Sequence, residues 1–280
     1  MMNFENVSQI AYLGPNDSYA ETAKDYFCNK YNISAYGNPL TTIKQIVDFV
    51  QDNPNTLGVL PMENSIIGTL RETLDVLMNM TNPNIKILAE TLIPIQHCLL
   101  SKTTEFYSIT GVIASPQTLG QCQEFISNEM PRNLNIVEVA NDSEAARSLA
   151  NYNLTYASIG SEKIAETHNL NILKDNINDD KTNRTSYILI GDYETEPTGH
   201  DKTTLMFTAK NKPGALMEVL NIFSKNNVNL SHISSRQAKN NHENYIFTVS
   251  CDGHIRRNNL IDTISQIKEK AAYVKYLGSY

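Results

Sequence analysis

Polar side chains stand at three points where an apolar run ends or begins. Glu63, Asn64 and Ser65 follow Leu57-Gly58-Val59-Leu60 and Pro61, Gln117 follows Gly111-Val112-Ile113-Ala114 and Ser115-Pro116, and Asn183, Arg184 and Thr185 precede Tyr187. Ligands of open α/β sheets bind beyond strand ends, so three such junctions point to one shared cleft. The chemistry on offer is that of acids and hydrogen-bond donors. A buried Glu63 with a raised pKa would supply or relay a proton. The Thr185 hydroxyl is too weak an acid to store one, but it can donate a hydrogen bond. Asn64, Ser65 and Gln117 suit orientation of a substrate. Glu63 and Ser65 also suit the plainer task of capping a helix start.

The elements that must position these groups alternate between strands and helices. Ile10-Ala11-Tyr12-Leu13 reads as a strand broken at Gly14-Pro15, and Asn16-Asp17-Ser18 can cap a helix through Ala20, Ala23 and Phe27. The same grammar recurs at 57–77, 111–126, 136–149 and 156–165, each an apolar run, a polar turn and a helical spacing. Repeated strand-turn-helix units predict one or two mainly parallel sheets with helices on both faces. Several helix N-termini converging on the cleft would hold carboxylates with few basic side chains.

Charge divides the chain. Residues 1 to 195 carry 23 acids against 12 Lys and Arg, while residues 196 to 280 carry 7 against 11. The polar stretch Glu194-Thr195-Glu196-Pro197-Thr198-Gly199-His200-Asp201 therefore reads as a linker. An acidic large domain argues against a nucleic-acid surface, which needs clustered Lys and Arg. No stretch reaches the roughly 18 to 20 apolar residues that span a bilayer, and the opening Met1-Met2-Asn3-Phe4-Glu5-Asn6 lacks a secretory pattern. A cytoplasmic protein without membrane or nucleic-acid partners is expected. Cys28, Cys98, Cys122 and Cys251 lie far apart with no zinc-like spacing, so reduced, mostly buried thiols and no metal are expected.

Four ordered motifs resemble those of the prephenate dehydratase family. Tyr12-Leu13-Gly14-Pro15 with Ser18-Tyr19 resembles its opening YLGPxG(T/S)(F/Y) motif, and Pro61-Met62-Glu63-Asn64-Ser65 with Gly68 resembles P-I-E-N-S-x-x-G. Ser115-Pro116-Gln117 through Gln121-Cys122 resembles H-P-Q-x-x-x-Q-C, and Asn183-x-Thr185-Ser186-Tyr187 resembles N-x-T-R-F. The resemblance covers nearly the whole chain. It implies two α/β lobes like those of periplasmic solute-binding proteins, the first made of residues 8–95 plus 171–195 and the second of residues 96–170. Thr91-Leu92-Ile93-Pro94-Ile95 would form one crossing, and Thr185 would lie between the lobes. It implies decarboxylating dehydration of prephenate to phenylpyruvate without a cofactor. Thr185 and Glu63 would be catalytic, and Ser18, Tyr19, Asn64, Ser65, Gln117, Asn183, Arg184 and Tyr187 would bind substrate.

Three positions depart from the family pattern. Asp17 stands for Gly, Ser115 for His, and Ser186 for the Arg of T-R-F. Arg is a natural carboxylate clamp. In a strand Arg184 points to the same face as position 186, so it either substitutes for that Arg or sits in solvent.

Residues 203–280 read as strand, helix, two strands, helix and strand, the order of a ferredoxin-like domain. Pro213-Gly214-Ala215-Leu216 resembles the G-A-L signature of the ACT regulatory domain, and Ser234-Ser235-Arg236-Gln237 aligns with its E-S-R-P motif. That resemblance implies feedback by L-phenylalanine held by Pro213, Gly214, Ala215, Leu216, Ser235 and Arg236, and a homodimer or homotetramer. Ser234 and Gln237 depart from the motif, so effector binding is weakened or altered in specificity. The rival readings are an arogenate dehydratase, a non-aromatising prephenate decarboxylase, and a catalytically silent ligand-binding sensor.

Overall fold

In the computed structural model, which describes residues 4–210, 212–238 and 241–280, the chain forms three sheets. The first lobe opens with β1 (Gln9–Leu13), α1 (Tyr19–Tyr31), β2 (Tyr36–Leu40), α2 (Ile43–Asp52) and β3 (Thr56–Asn64). It continues with β4 (Gly68–Thr69), α3 (Arg71–Asn79) and β5 (Lys86–Pro94). The second lobe holds β6 (Cys98–Ser101), β7 (Gly111–Ala114), α4 (Pro116–Gly120), α5 (Gln123–Glu129) and β8 (Asn135–Glu138). Next come α6 (Asp142–Ser148), β9 (Tyr156–Gly160), α7 (Glu162–His168) and β10 (Asn171–Lys174). The chain then returns to the first lobe as β11 (Arg184–Gly191).

Both lobe sheets are mixed, a correction to the mainly parallel expectation. The first has the order β2-β1-β3-β11-β5, with β4 paired to β3, and the second β10-β6-β9-β7-β8. Within each, the βαβ units are parallel, but β11 runs antiparallel to both β3 and β5 because it re-enters from the other lobe. A second correction concerns residues 171–174. They pair with β6 in the second sheet, so the return crossing lies after them. Asn178 ties the two crossings together: its Oδ1 accepts from the His97 N–H at 2.6 Å and its Nδ2 donates to the Ile95 carbonyl at 2.9 Å.

Burial explains the layers. Ile43, Ile46, Val47 and Val50 form the inner face of α2 and pack with Leu74 and Leu77 of α3 on one face of the first sheet. Ala20, Ala23 and Phe27 of α1 cover the other face, against Leu57, Val59, Tyr187 and Leu189. Cys98, Cys122 and Cys251 are buried and Cys28 is half-buried, all unpaired; burial pushes the Cys122 and Cys251 thiols up to about 12.

The third sheet comprises β12 (Lys202–Thr208), β13 (Leu230–Ala238), β14 (Asn241–Asp252) and β15 (Tyr273–Ser279), ordered β13-β14-β12-β15. With α8 (Ala215–Lys225) and α9 (Asn258–Lys270) the order is βαββαβ, as expected. Its helices bury one face. From the other face, Met206, Ile246 and Leu277 join the core of the first lobe. The contact is close: a Cβ on Gly278, whose φ is +153°, would lie 2.2 Å from the Ile87 carbonyl oxygen of β5. Among the described residues no helix is long and apolar enough to cross a membrane, and no group of three or more His, Cys, Asp or Glu could hold a metal.

Candidate active site

Thr185 enters β11 at the seam between the lobes, directly opposite Asn64 of β3, and is 7% exposed. Asn64, which is 8% exposed, closes a local turn: its Oδ1 accepts from the N–H groups of Ile66 at 2.9 Å and Ile67 at 3.1 Å. Its Nδ2 therefore turns to the other side, toward Thr185 Oγ1 at 3.0 Å and Asn183 Oδ1 at 2.9 Å. Asn183 Nδ2 continues to Gln121 Oε1 at 3.3 Å, which carries the network into the second lobe. Beyond it, His97 Nε2 lies 2.9 Å from the same oxygen.

A second polar group adjoins this seam. Ser115 caps α4, and its hydroxyl and that of Thr118 both donate to Asp142 Oδ1, at 3.1 and 2.6 Å. Tyr19 donates from its hydroxyl to the Gln96 carbonyl at 2.6 Å and packs edge-on against His97. Burial pushes the Tyr19 phenol up, with Asp142 adding to the effect, and burial alone does so for Tyr187. Both phenols stay neutral.

Contacts across the lobes hold this geometry. Lys163 of α7 donates to Asp25 Oδ2 at 2.5 Å and lies 3.0 Å from Glu21 Oε2 on α1. Burial works against the Glu21 and Asp25 carboxylates, but hydrogen bonds to them, those from Lys163 among them, hold both below their ordinary range. Asp17 has the left-handed φ of 68° that favours Gly, yet its carboxylate accepts from Thr167 at 2.9 Å and lies 3.5 Å from His168 Nε2. The departure at position 17 thus trades backbone ease for a cross-lobe contact.

The residues singled out from sequence do not all meet. Tyr19, Asn64, Asn183 and Thr185 gather at the seam, and Tyr187 is buried two residues further along the Thr185 face of β11. Ser18 caps α1, accepting from the Glu21 N–H and donating to the Leu13 carbonyl, so its hydroxyl is spent locally. Gln117 is exposed in the first turn of α4. Glu63 requires a correction. It lies on β3 opposite Ser186, one residue from Asn64, and the pleat sends it to the face opposite Thr185. Its side chain is 45% exposed and faces His232 Nδ1 at 3.8 Å, so the burial needed for a proton relay is missing.

Glu63, Ser65, Arg184 and Ser186 instead line a separate cavity of about 700 Å³ with Glu90 and Lys202. Ser186 Oγ donates to Glu90 Oε1 at 2.5 Å, and Lys202 of β12 pairs with the other Glu90 oxygen. Arg184 does share the face of position 186, as strand alternation predicts, but that face is not the one of Thr185. Sequence reasoning missed Gln121 and His97. Gln121 belongs to the motif that runs from Ser115 to Cys122, and its place four residues after Gln117, one helical turn on, is the available signal; His97 lies in an apolar run with no spacing to mark it.

In the third sheet, Gly214 precedes α8 with φ 81°, and Ser235 is exposed in β13 opposite Phe247, on the helix-covered face. Arg236 points the other way. It forms an ion pair with Asp75 of α3 and lies 3.5 Å from the Leu74 carbonyl. The expected effector-binding set is therefore split by strand alternation, with Arg236 turned to the first lobe.

Two α/β lobes thus meet at a polar seam, and a βαββαβ module packs behind the first lobe. Residues 10–195 match the family model for prephenate dehydratase, and residues 203–269 match the ACT domain model. The chain belongs to the prephenate dehydratase family. It is 32% identical over 280 residues to the prephenate dehydratase of Methanocaldococcus jannaschii, covering 97% of each chain. It is also 32% identical over 279 residues to the bifunctional chorismate mutase/prephenate dehydratase of Aquifex aeolicus, covering 100% of this chain and 75% of that protein. Among solved structures, the Arthrobacter aurescens prephenate dehydratase in complex with L-Phe superposes with a TM-score of 0.82 at 28% identity, covering 97% of this chain and 89% of that one.

Proposed function

We propose that the protein is a cytoplasmic, homo-oligomeric prephenate dehydratase of L-phenylalanine synthesis that is inhibited by L-phenylalanine, with Thr185 as its central catalytic group. In the reaction the ring carbon–carboxylate bond breaks and leaves carbon dioxide. Its electron pair completes the aromatic ring, and the carbon–oxygen bond on the opposite ring carbon breaks to leave water once a proton is taken up. The demand falls on a donor at the departing oxygen. Thr185 Oγ1 accepts from Asn64 Nδ2, so its own proton is available to that oxygen. This one hydrogen bond carries the assignment. Glu63 has no part in it, since it serves the opposite face of the sheet. Tyr19 and Tyr187 supply neutral, weakly solvated walls, which favour release of carbon dioxide over the charged ground state.

Regulation is supported by the ACT module and by the L-Phe complex of the Arthrobacter relative. Oligomerisation is supported by the open edge of β13, where Ile233 is 47% exposed. Comparison of kcat/KM for prephenate and arogenate, with light scattering and calorimetric titration of L-phenylalanine, tests the reading. Preference for prephenate, an oligomer and L-phenylalanine binding are expected. Preference for arogenate, or a monomer that ignores L-phenylalanine, would overturn the corresponding part.

A further inference from the structure

The polarity of the seam network follows from its first members. Backbone N–H groups can only donate, so Ile66 and Ile67 fix Asn64 Oδ1 as the acceptor and Asn64 Nδ2 as the donor. Asn183 Oδ1 must then accept, and Asn183 Nδ2 must donate to Gln121 Oε1. Gln121 Oε1 is an acceptor with His97 Nε2 at 2.9 Å, so Nε2 has to carry a proton. Each step leaves no choice to the next.

His97 itself is 2% exposed and sits where the lobes join. Its N–H donates to Asn178 Oδ1, and its carbonyl accepts from the Ile177 N–H at 2.8 Å. Here the buried Nδ1 has no hydrogen-bond partner among the described residues, while Nε2 is spent on Gln121.

We propose that His97 is a positioning residue for the dehydration. Its Nε2–H pins the Gln121 carbonyl, which leaves the Gln121 NH2 as a donor for the cleft and supports the Asn183–Asn64 arrangement that frees the Thr185 proton. His97 touches no reacting atom and acts through Gln121. The inference rests on the dehydratase reading, and wild-type turnover of prephenate checks that reading separately.

The direct test is the tautomer. Nitrogen NMR of the full chain labelled at histidine, with His97 assigned by the signals lost in His97→Gln, is expected to place a proton on Nε2. A bare Nε2 with the proton on Nδ1 overturns the proposal whatever the protein's activity. Kinetics supply the second test. The side-chain amide nitrogen introduced by His97→Gln can replace the Nε2 donor, so the kcat of that variant should stay within about threefold of wild type, whereas His97→Leu should lose about 10- to 100-fold in kcat with little change in KM. Equal losses in the two folded variants, or no loss in His97→Leu, would overturn it.

Discussion

Replacing Thr185 with Val removes the hydroxyl and keeps the shape, which makes it a clean perturbation. Thr185 is 7% exposed within β11, and Val is β-branched like Thr, so the strand has no reason to move. Asn64 Nδ2 loses the Thr185 oxygen but keeps Asn183 Oδ1 at 2.9 Å and the Arg184 carbonyl at 3.2 Å. The structural cost is therefore that of one ordinary hydrogen bond, about 1 kcal/mol, or a fall in Tm of roughly 2 to 4 °C. The catalytic cost is larger, because a donor aimed at developing oxyanion charge is worth about 3 to 4 kcal/mol, some 100- to 1,000-fold in kcat. Phenylpyruvate formation and thermal unfolding, measured on the same preparation, separate the two. A kcat within threefold of wild type, with Tm lowered as stated, would refute the role given to the Thr185 proton.

Other outcomes follow from the packing of the ACT module. Gly278→Ala places a methyl group 2.2 Å from the Ile87 carbonyl oxygen, with backbone on both sides, so urea unfolding should show a loss of about 3 kcal/mol; wild-type stability would mean that β15 does not seat on β5. Arg236→Met removes the ion pair to Asp75 of α3, the helix that follows the Asn64 turn, and should shift the L-phenylalanine concentration for half-inhibition about fivefold or more. An unchanged inhibition curve would show that feedback does not pass through that pair. Lys275, whose ammonium reaches the Met78 and Met80 carbonyls, is pushed by burial, and further by Lys86, down to about 8. An unfolded Lys holds its proton to about 10.4, so between these values the unfolded state binds more protons and stability should rise with pH. Urea midpoints across that window should climb for wild type less its Lys275→Met counterpart, and a flat difference would remove the shift.

Much of this molecule is written locally in its sequence. Apolar runs ending at Ser115 and Ser161 do end strands and start helices there, whereas the run before Pro61 continues as β3 to Asn64; capping by Ser18, Ser115 and Ser161 is the short-range signal that makes the helix starts legible. What was hidden is nonlocal or depends on parity. Read as a turn residue, Glu63 could join Thr185; once β3 extends to Asn64, the pleat separates them, and the same alternation separates Arg236 from Ser235. The pairing of β10 with β6 rests on contacts about 70 residues apart in the chain, which no local pattern announces. His97 gave no motif because its importance lies in the direction of hydrogen bonds between two lobes.

Turnover of prephenate is the most direct measure of whether this seam performs the dehydration and whether the ACT module controls it. Phenylpyruvate should appear when the purified full chain is given prephenate, and its rate should fall when L-phenylalanine is added. A folded chain that binds prephenate but releases no phenylpyruvate would overturn the dehydratase reading, and turnover indifferent to L-phenylalanine would overturn feedback through the ACT module.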